Sequence, residues 1–159
     1  MPVSSTIVNI IQAMLAPGIM ISACGLLLLG MNNKYSLVVN RIRLLDDEKR
    51  KLNVTRLEAT LKDHQVIRME SINIQLDQLA NRVKLIRNAV LSYTIAVGFF
   101  IASCLTIGLQ YLFSETTLYY IAMALFLIGM LCVFIGAILA AMETYRGYEI
   151  VKIELREEY

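Results

Sequence analysis

The chain has 159 residues, of which 57% are hydrophobic and 18% are charged. A domain of this length cannot bury so much apolar surface away from water, so the composition excludes an ordinary soluble protein and favours a lipid bilayer as the solvent. The formal charge of +2 is too small to indicate binding of nucleic acid.

Three nearly uncharged stretches predict three transmembrane helices and therefore an all-α integral membrane protein. No Asp, Glu, Lys or Arg occurs in residues 1–33, and Glu115 is the only one in residues 88–142. With a rise of about 1.5 Å per residue, each stretch can cross a hydrocarbon core of ~30 Å. The predicted spans are Ile7 to Met31, Asn88 to Phe113 and Thr117 to Met142.

The positions of the basic residues predict the orientation. Twelve Lys and Arg lie in residues 31–87, whereas the N-terminal tail has none and the connection at 114–116 has only an acid. By the positive-inside rule, the N-terminus lies outside and the C-terminal tail lies in the cytoplasm. The first span is not predicted to be a signal peptide, because its first basic residue, Lys34, follows the apolar stretch. The predicted domains are the outward N-terminus with the first span (1–33), a cytoplasmic segment (34–87), spans two and three (88–142) and a cytoplasmic tail (143–159).

The cytoplasmic segment is predicted to form a long antiparallel helical hairpin between the first and second spans. No Gly or Pro occurs between Met31 and Val97, so nearly unbroken helix is expected, and both ends must return to the membrane. We expect the turn near Lys62 to Gln65, with a bend at Asn53 as the alternative. No exposed apolar patch is expected beyond the coiled-coil seam of the hairpin. Apolar residues at steps of three and four define this seam: Met69, Ile72, Leu76, Leu79, Val83 and Ile86.

Small or polar residues form a stripe on each predicted span. One interpretation is helix packing, within a subunit or between subunits, because small residues allow membrane helices to approach closely. The other is that the polar members line a water-filled path. Pro17 fits both, since it frees the carbonyl of Ala13 and can bend the helix. The stripe residues are Asn9, Gln12, Ala16, Ala23 and Gly30 in the first span, Ser92, Ser103, Thr106 and Gln110 in the second, and Gly129 and Gly136 in the third.

One acid lies where the third span meets the cytoplasm. Glu143 continues the seven-residue step of Gly129 and Gly136, and an ionised acid within a bilayer needs a partner or water. We expect it to pair with Lys84 or Arg87 at the base of the second span. The alternative is that Glu143 is solvated at the level of the lipid headgroups.

The sequence contains no pattern typical of catalysis or of cofactor binding. The three cysteines, Cys24, Cys104 and Cys132, all lie inside predicted spans, and His64 is the only histidine. No phosphate-binding loop, nucleophile elbow or zinc-binding helix is recognisable. We therefore predict no enzyme, no catalytic residue, no cofactor and no metal site.

The N-terminal run IQAMLAPGIMISACGLLLLGMNNKYSLVVNRIR resembles the first helix and its cytoplasmic extension in the Domain of Unknown Function 2721 family of small bacterial inner-membrane proteins. The resemblance implies three spans with a long polar segment after the first, and the bacterial inner (plasma) membrane as the location. It transfers no activity and no site residue. The positions that carry it are Ala16, Pro17, Ile21, Ser22, Ala23, Asn33, Lys34, Asn40, Arg41, Ile42 and Arg43.

Two functions fit these features. The first is a homo-oligomer whose helices surround a path for ions or a small solute, and it is preferred because the polar stripes lie in the spans. The second is a membrane-anchored coiled-coil scaffold that docks a cytoplasmic or membrane protein on its hairpin. The expected partners are thus the lipid bilayer, further copies of the chain and a protein partner at the hairpin, with no nucleic acid.

Overall fold

The computed structural model contains three long α-helices in the part of the chain that it describes, and this confirms the predicted all-α fold. The helices are α1 (Val3–Glu58), α2 (Asp63–Phe113) and α3 (Thr116–Glu157). The structure describes the backbone of residues 3–58, 63–113 and 116–157, and the side chains of residues 8–52, 68–110, 113 and 117–145. Each helix contains a segment that is long and apolar enough to cross a membrane.

The helices extend far beyond the predicted spans. The 56 residues of α1 make a helix about 84 Å long. It continues through Pro17, as membrane helices can where neighbouring groups satisfy the backbone that a proline frees. The less favoured bend at Asn53 is wrong, since α1 runs through it to Glu58.

Part of the turn predicted after α1 is helical. The predicted turn, Lys62 to Gln65, overlaps the break between α1 and α2 only at Lys62, because α2 begins at Asp63. An acidic residue is favoured at a helix N-terminus, which accounts for this earlier start. Residues 59–62 lie outside the described residues, as do Ser114 and Glu115 in the predicted second connection.

The chain divides into two compact units. The first comprises residues 1–31 and 88–139, and the second comprises residues 32–87 and 140–159.

In the first unit, α2 and α3 approach closely where aromatic rings lie on glycines. A Cβ atom built on Gly129 would lie 2.8 Å from Cε1 of Phe100, and one on Gly136 would lie 2.7 Å from Cε1 of Tyr93. Phe100 is 0% exposed and Tyr93 is 1% exposed, so both rings are enclosed by the protein where they meet the glycines. Both pairs are seven residues apart, which places them on the same face of each helix.

The third helix of the first unit, α1, packs on a different face from its predicted stripe. Pro17 and Cys24 are buried, seven residues apart, and Cys24 forms a core cluster with Ala96 and Phe100. Ala16 and Gly30 of the stripe are exposed, and Ala23 is half-buried. The stripe therefore lies one residue, or about 100° of helix rotation, from the line of α1 that contacts α2 and α3.

In the second unit, apolar side chains of α1 and α2 are buried, and two of them belong to the predicted seam. Val38 and Leu45 of α1 and Ile72 and Ile86 of α2 are buried. The remaining seam residues are half-buried: Met69, Leu76, Leu79 and Val83. Arg68 of α2 donates two hydrogen bonds to Glu48 of α1, from Nε to Oε1 at 2.9 Å and from Nη2 to Oε2 at 3.2 Å.

We predict that Gly129→Ala and Gly136→Ala each destabilise the protein by ~1 to 3 kcal/mol, because the added methyl group would overlap a buried ring that cannot move away. Gly98→Ala is the matched control, since a Cβ there meets nothing within 4 Å and alanine is the better helix former. Thermal unfolding of the three variants in one detergent measures the difference. If Gly129→Ala melts no lower than Gly98→Ala, the rings do not set the distance between α2 and α3.

Candidate functional site

A cavity of about 310 Å³ lies in the first unit. It is bounded by all three helices, and this volume is at the lower end of the range for small-molecule sites. None of the ten described residues that line it carries a charge. They are Ala13, Ala16, Pro17, Ser103, Ile107, Gln110, Tyr119, Ala122, Met123 and Phe126.

The α1 wall of the cavity is built by small residues and a proline. Ala13 and Ala16 have no side chain beyond Cβ, so they leave space that a larger apolar residue would fill. Pro17 has no N–H group and cannot donate to the carbonyl of Ala13, four residues earlier. Both residues line the cavity. The carbonyl of Ala13, which lacks its usual helical donor, therefore belongs to a residue of the cavity wall.

The hydroxyl groups of α2 are mostly used inside the protein. Ser103 is 1% exposed, and its Oγ donates to the carbonyl of Ala122 on α3 at 3.0 Å. Ser92 likewise donates to the carbonyl of Cys132 on α3 at 2.7 Å. Thr106 instead donates to the carbonyl of Ala102 on its own helix at 2.8 Å. These hydrogen bonds satisfy the three hydroxyl groups without water, and those of Ser92 and Ser103 connect α2 to α3.

Nine of the twelve candidate packing or pore-lining residues fall into three groups. Ala16, Pro17, Ser103 and Gln110 meet at the cavity. Gly129 and Gly136 lie in the α2–α3 contact. Asn9, Gln12 and Gly30 are exposed on α1, and they contribute to neither feature.

Three further residues of the cavity, Ile107, Tyr119 and Met123, were not predicted. Their only sequence signal is spacing: Ile107 lies four residues after Ser103, and Tyr119 and Met123 flank Ala122, which continues the seven-residue step of Gly129 and Gly136. Phe126 was missed too, and its ring lies 5.6 Å from that of Phe100, centroid to centroid. A large apolar residue in an apolar span gives no indication of which cavity it borders.

The second unit contains an ion cluster formed by one buried acid and two cations that reach the surface. Glu143 of α3 is 1% exposed. Its Oε1 accepts a hydrogen bond from Nη2 of Arg82 on α2 at 2.7 Å, and its Oε2 accepts one from Nζ of Lys34 on α1 at 3.1 Å. Lys34 also donates to Oγ1 of Thr144 at 2.9 Å. We call Lys34, Arg82 and Glu143 the ion cluster; it joins all three helices through a single carboxylate.

The cations of the cluster differ from the expected ones. Lys84 and Arg87 were predicted as partners of Glu143, but the hydrogen bonds to its two oxygens come from Lys34 and Arg82. Arg82 lies seven residues before Ala89, which is fully buried, so it is on the inward side of α2. Lys84 is exposed, and its helix position directs it elsewhere.

A second ion pair of the same residue types is exposed. Glu48 and Arg68 have side chains 40% and 50% exposed. The hydrogen bond from Arg68 lowers the pKa of Glu48 below its ordinary value. A lowered carboxyl pKa stabilises the fold at neutral pH, and that contribution is lost as the pH falls through the lowered pKa. Solvent screening keeps it small.

The described residues contain no group of three or more His, Cys, Asp or Glu that could hold a metal ion. Three long apolar helices, each able to span a membrane, define the class of the protein: an all-helical chain of the multi-pass membrane type. The model of one family, described as Protein of unknown function (DUF2721), matches residues 14–153. The chain belongs to that family, which confirms the resemblance of its first helix. Neither the curated proteins nor the solved structures contain a match.

We predict that Glu143→Gln lowers the stability by an amount of the order of 3 kcal/mol, because the neutral side chain leaves Lys34 and Arg82 without a negative partner. Glu48→Gln is the matched control, since it makes the same change in an exposed pair and should leave the melting temperature nearly unchanged. Both variants are compared with the parent by thermal unfolding in one detergent. Equal melting temperatures for the two variants would show that the buried carboxylate does not hold the helices together.

Proposed function

We propose that this protein is a homo-oligomeric integral membrane protein of the bacterial inner membrane, without enzymatic activity, whose helices surround a path for a small solute. The observation that supports this function most directly is the cavity of the first unit. It brings Ala16, Pro17, Ser103 and Gln110 together, from two helices far apart in the sequence. Because the described lining is uncharged, it suits a small uncharged solute or water better than a bare ion.

The exposed face of α1 supports self-association. Asn9 and Gln12 are exposed there among large apolar residues that are also exposed, such as Ile11 and Leu15. Lipid tails cannot satisfy an amide group, so a polar side chain on a membrane helix requires a partner or water. The small residues Ala16 and Gly30 share this face and would let a second helix approach closely.

The charge distribution supports an outward N-terminus and a cytoplasmic segment at residues 34–87. The hydrogen-bonded pair of Glu48 and Arg68 lies on either side of the break between α1 and α2. This contact supports an antiparallel hairpin, since two residues that flank a turn meet only if the chain reverses there.

A reporter inserted between Glu58 and Asp63, or fused after Tyr159, is expected to be cytoplasmic, whereas a reporter in the connection at 114–116 is expected to be external. The paired alkaline phosphatase and fluorescent protein fusions give opposite signals on the two sides of the membrane. An external signal from the insertion after Glu58 would contradict both the orientation and the cytoplasmic hairpin.

The path is tested by solute flux in vesicles that contain the purified protein. Stopped-flow light scattering measures the entry of glycerol, and a potassium-selective dye measures ion flux. Ala13→Phe adds a ring at the wall of the cavity and should lower glycerol entry toward that of empty vesicles. Ala124→Phe is the matched control, because Ala124 is exposed on α3 and is outside the cavity lining.

Gln110→Leu is a second variant for the same assay. It keeps the size of the side chain and removes a hydrogen-bonding group worth about 1 kcal/mol, so glycerol entry should fall by roughly fivefold. Parent vesicles that admit glycerol and potassium no faster than empty vesicles would contradict the conduit.

The scaffold function is favoured by a separate observation. Leu37 and Leu44 of α1 are 69% and 64% exposed, and they lie seven residues apart on one helix face. These two exposed leucines lie beyond the predicted seam and are candidates for an apolar docking face. A double variant, Leu37→Lys with Leu44→Lys, should keep parent-like flux if the conduit is the function. Unchanged flux with loss of a co-purifying protein would add the scaffold function.

A further inference from the structure

The ion cluster of Lys34, Arg82 and Glu143 has unequal charge. One carboxylate lies between two cations, so the cluster carries a net charge of one positive unit. Glu143 is 1% exposed, whereas the side chains of Lys34 and Arg82 are 44% and 25% exposed. The acid is thus enclosed by the protein, and the excess positive charge lies on the two side chains that reach the surface.

The two cations also have donors that the protein does not use. An ammonium group has three N–H donors and a guanidinium has five. Lys34 uses two of its donors, on Glu143 and Thr144. Arg82 donates to Glu143 from Nη2; its Nε is buried without a hydrogen-bond partner among the described residues, so the remaining N–H groups at the end of the guanidinium are the ones that can meet an external anion. An anion with several oxygens would therefore find both charge and donors beside the carboxylate.

The residues next to the cluster indicate where this anion comes from. Tyr35 follows Lys34 and is 40% exposed, and Tyr145 lies two residues after Glu143 and is 67% exposed. Exposed tyrosines of membrane helices concentrate at the boundary between lipid and water. Leu37 and Met142 are exposed as well, at 69% and 43%. Aromatic and apolar residues around a basic site favour a lipid, which has an acyl chain, over a free anion.

We propose that Lys34 and Arg82 bind the phosphate of an anionic phospholipid, and that Glu143 positions both side chains for it. One phosphodiester neutralises the excess charge of the cluster. Basic sites between membrane helices are a recognised means of binding anionic headgroups. Arg82 supplies a planar fork that matches phosphate oxygens, and Lys34 supplies a point charge at the surface. This inference does not depend on the proposed path through the first unit.

The test measures the thermal stability of the purified protein in a zwitterionic detergent while lipid is added. Phosphatidylglycerol should raise the melting temperature in a saturable way, whereas phosphatidylcholine with the same acyl chains should not, and neither should sodium phosphate. Lys34→Gln should weaken the response to phosphatidylglycerol by roughly fivefold, the effect of one basic residue near anionic lipid. Lys34→Arg keeps the charge and should keep the response.

Lys84→Gln is the matched control, because it removes the same charge from an exposed lysine two residues from Arg82. Equal weakening by Lys84→Gln and Lys34→Gln would overturn the site in favour of general surface attraction. An equal rise with phosphatidylcholine, or with sodium phosphate, would overturn the assignment to an anionic lipid. If Lys34→Gln does not fold, the parent decides: native mass spectrometry should show bound phosphatidylglycerol in preference to phosphatidylcholine, and no preference would contradict the proposal.

Discussion

The buried rings of Phe100 and Tyr93 lie on Gly129 and Gly136 and set the distance between α2 and α3. The same contact defines which side of each helix faces inward. In lipid there is little hydrophobic drive to bring helices together, so attraction depends on close packing. Gly129 and Gly136 allow it, because any side chain there would overlap Phe100 or Tyr93. A further step of seven along each helix reaches Glu143 and Ile86, both of which are buried. The seven-residue step thus continues from the glycine contacts into the second unit.

This step explains why α3 was the easiest helix to interpret from its sequence. Ala122, Gly129, Gly136 and Glu143 stand out against large apolar neighbours, and all four are buried. The first helix also has a seven-residue step, but two series of residues, one position apart, both show it. Ala16 and Gly30 belong to the exposed series, whereas Pro17, Cys24, Met31, Val38 and Leu45 belong to the buried one. A helix that is apolar on every side has no polar face to show which series is inward, so residue size alone does not show which of the two packs within the chain.

The ion cluster shows a different limit of sequence reasoning. A buried acid at the end of a span predicts a cation, but it does not predict which one, since Lys and Arg reach across several turns of a neighbouring helix. Arg82 belongs to a series at steps of seven residues, so it lies on the same side of α2 as the other members. These are Gln75, Ala89, Ala96 and Ser103, which are buried or half-buried. That series is recognisable only once the buried face of α2 is known. Lys34 is the first basic residue after the first span, and this position at the end of the span is compatible with its pairing to Glu143.

The polar groups of the spans can be sorted by whether the fold already uses them. Ser92 and Ser103 donate to carbonyls of α3, beside the glycine contacts, so they lock the helix pair in place. Thr106 donates within α2. Their hydroxyls are therefore poor candidates for contact with a solute, although their positions in the sequence suggested it. Gln110 and Tyr119 border the cavity, and Asn9 and Gln12 are exposed on α1. Because a polar group in lipid must find a partner, these four side chains are better candidates than the serines for contact with a solute or with a second copy of the chain.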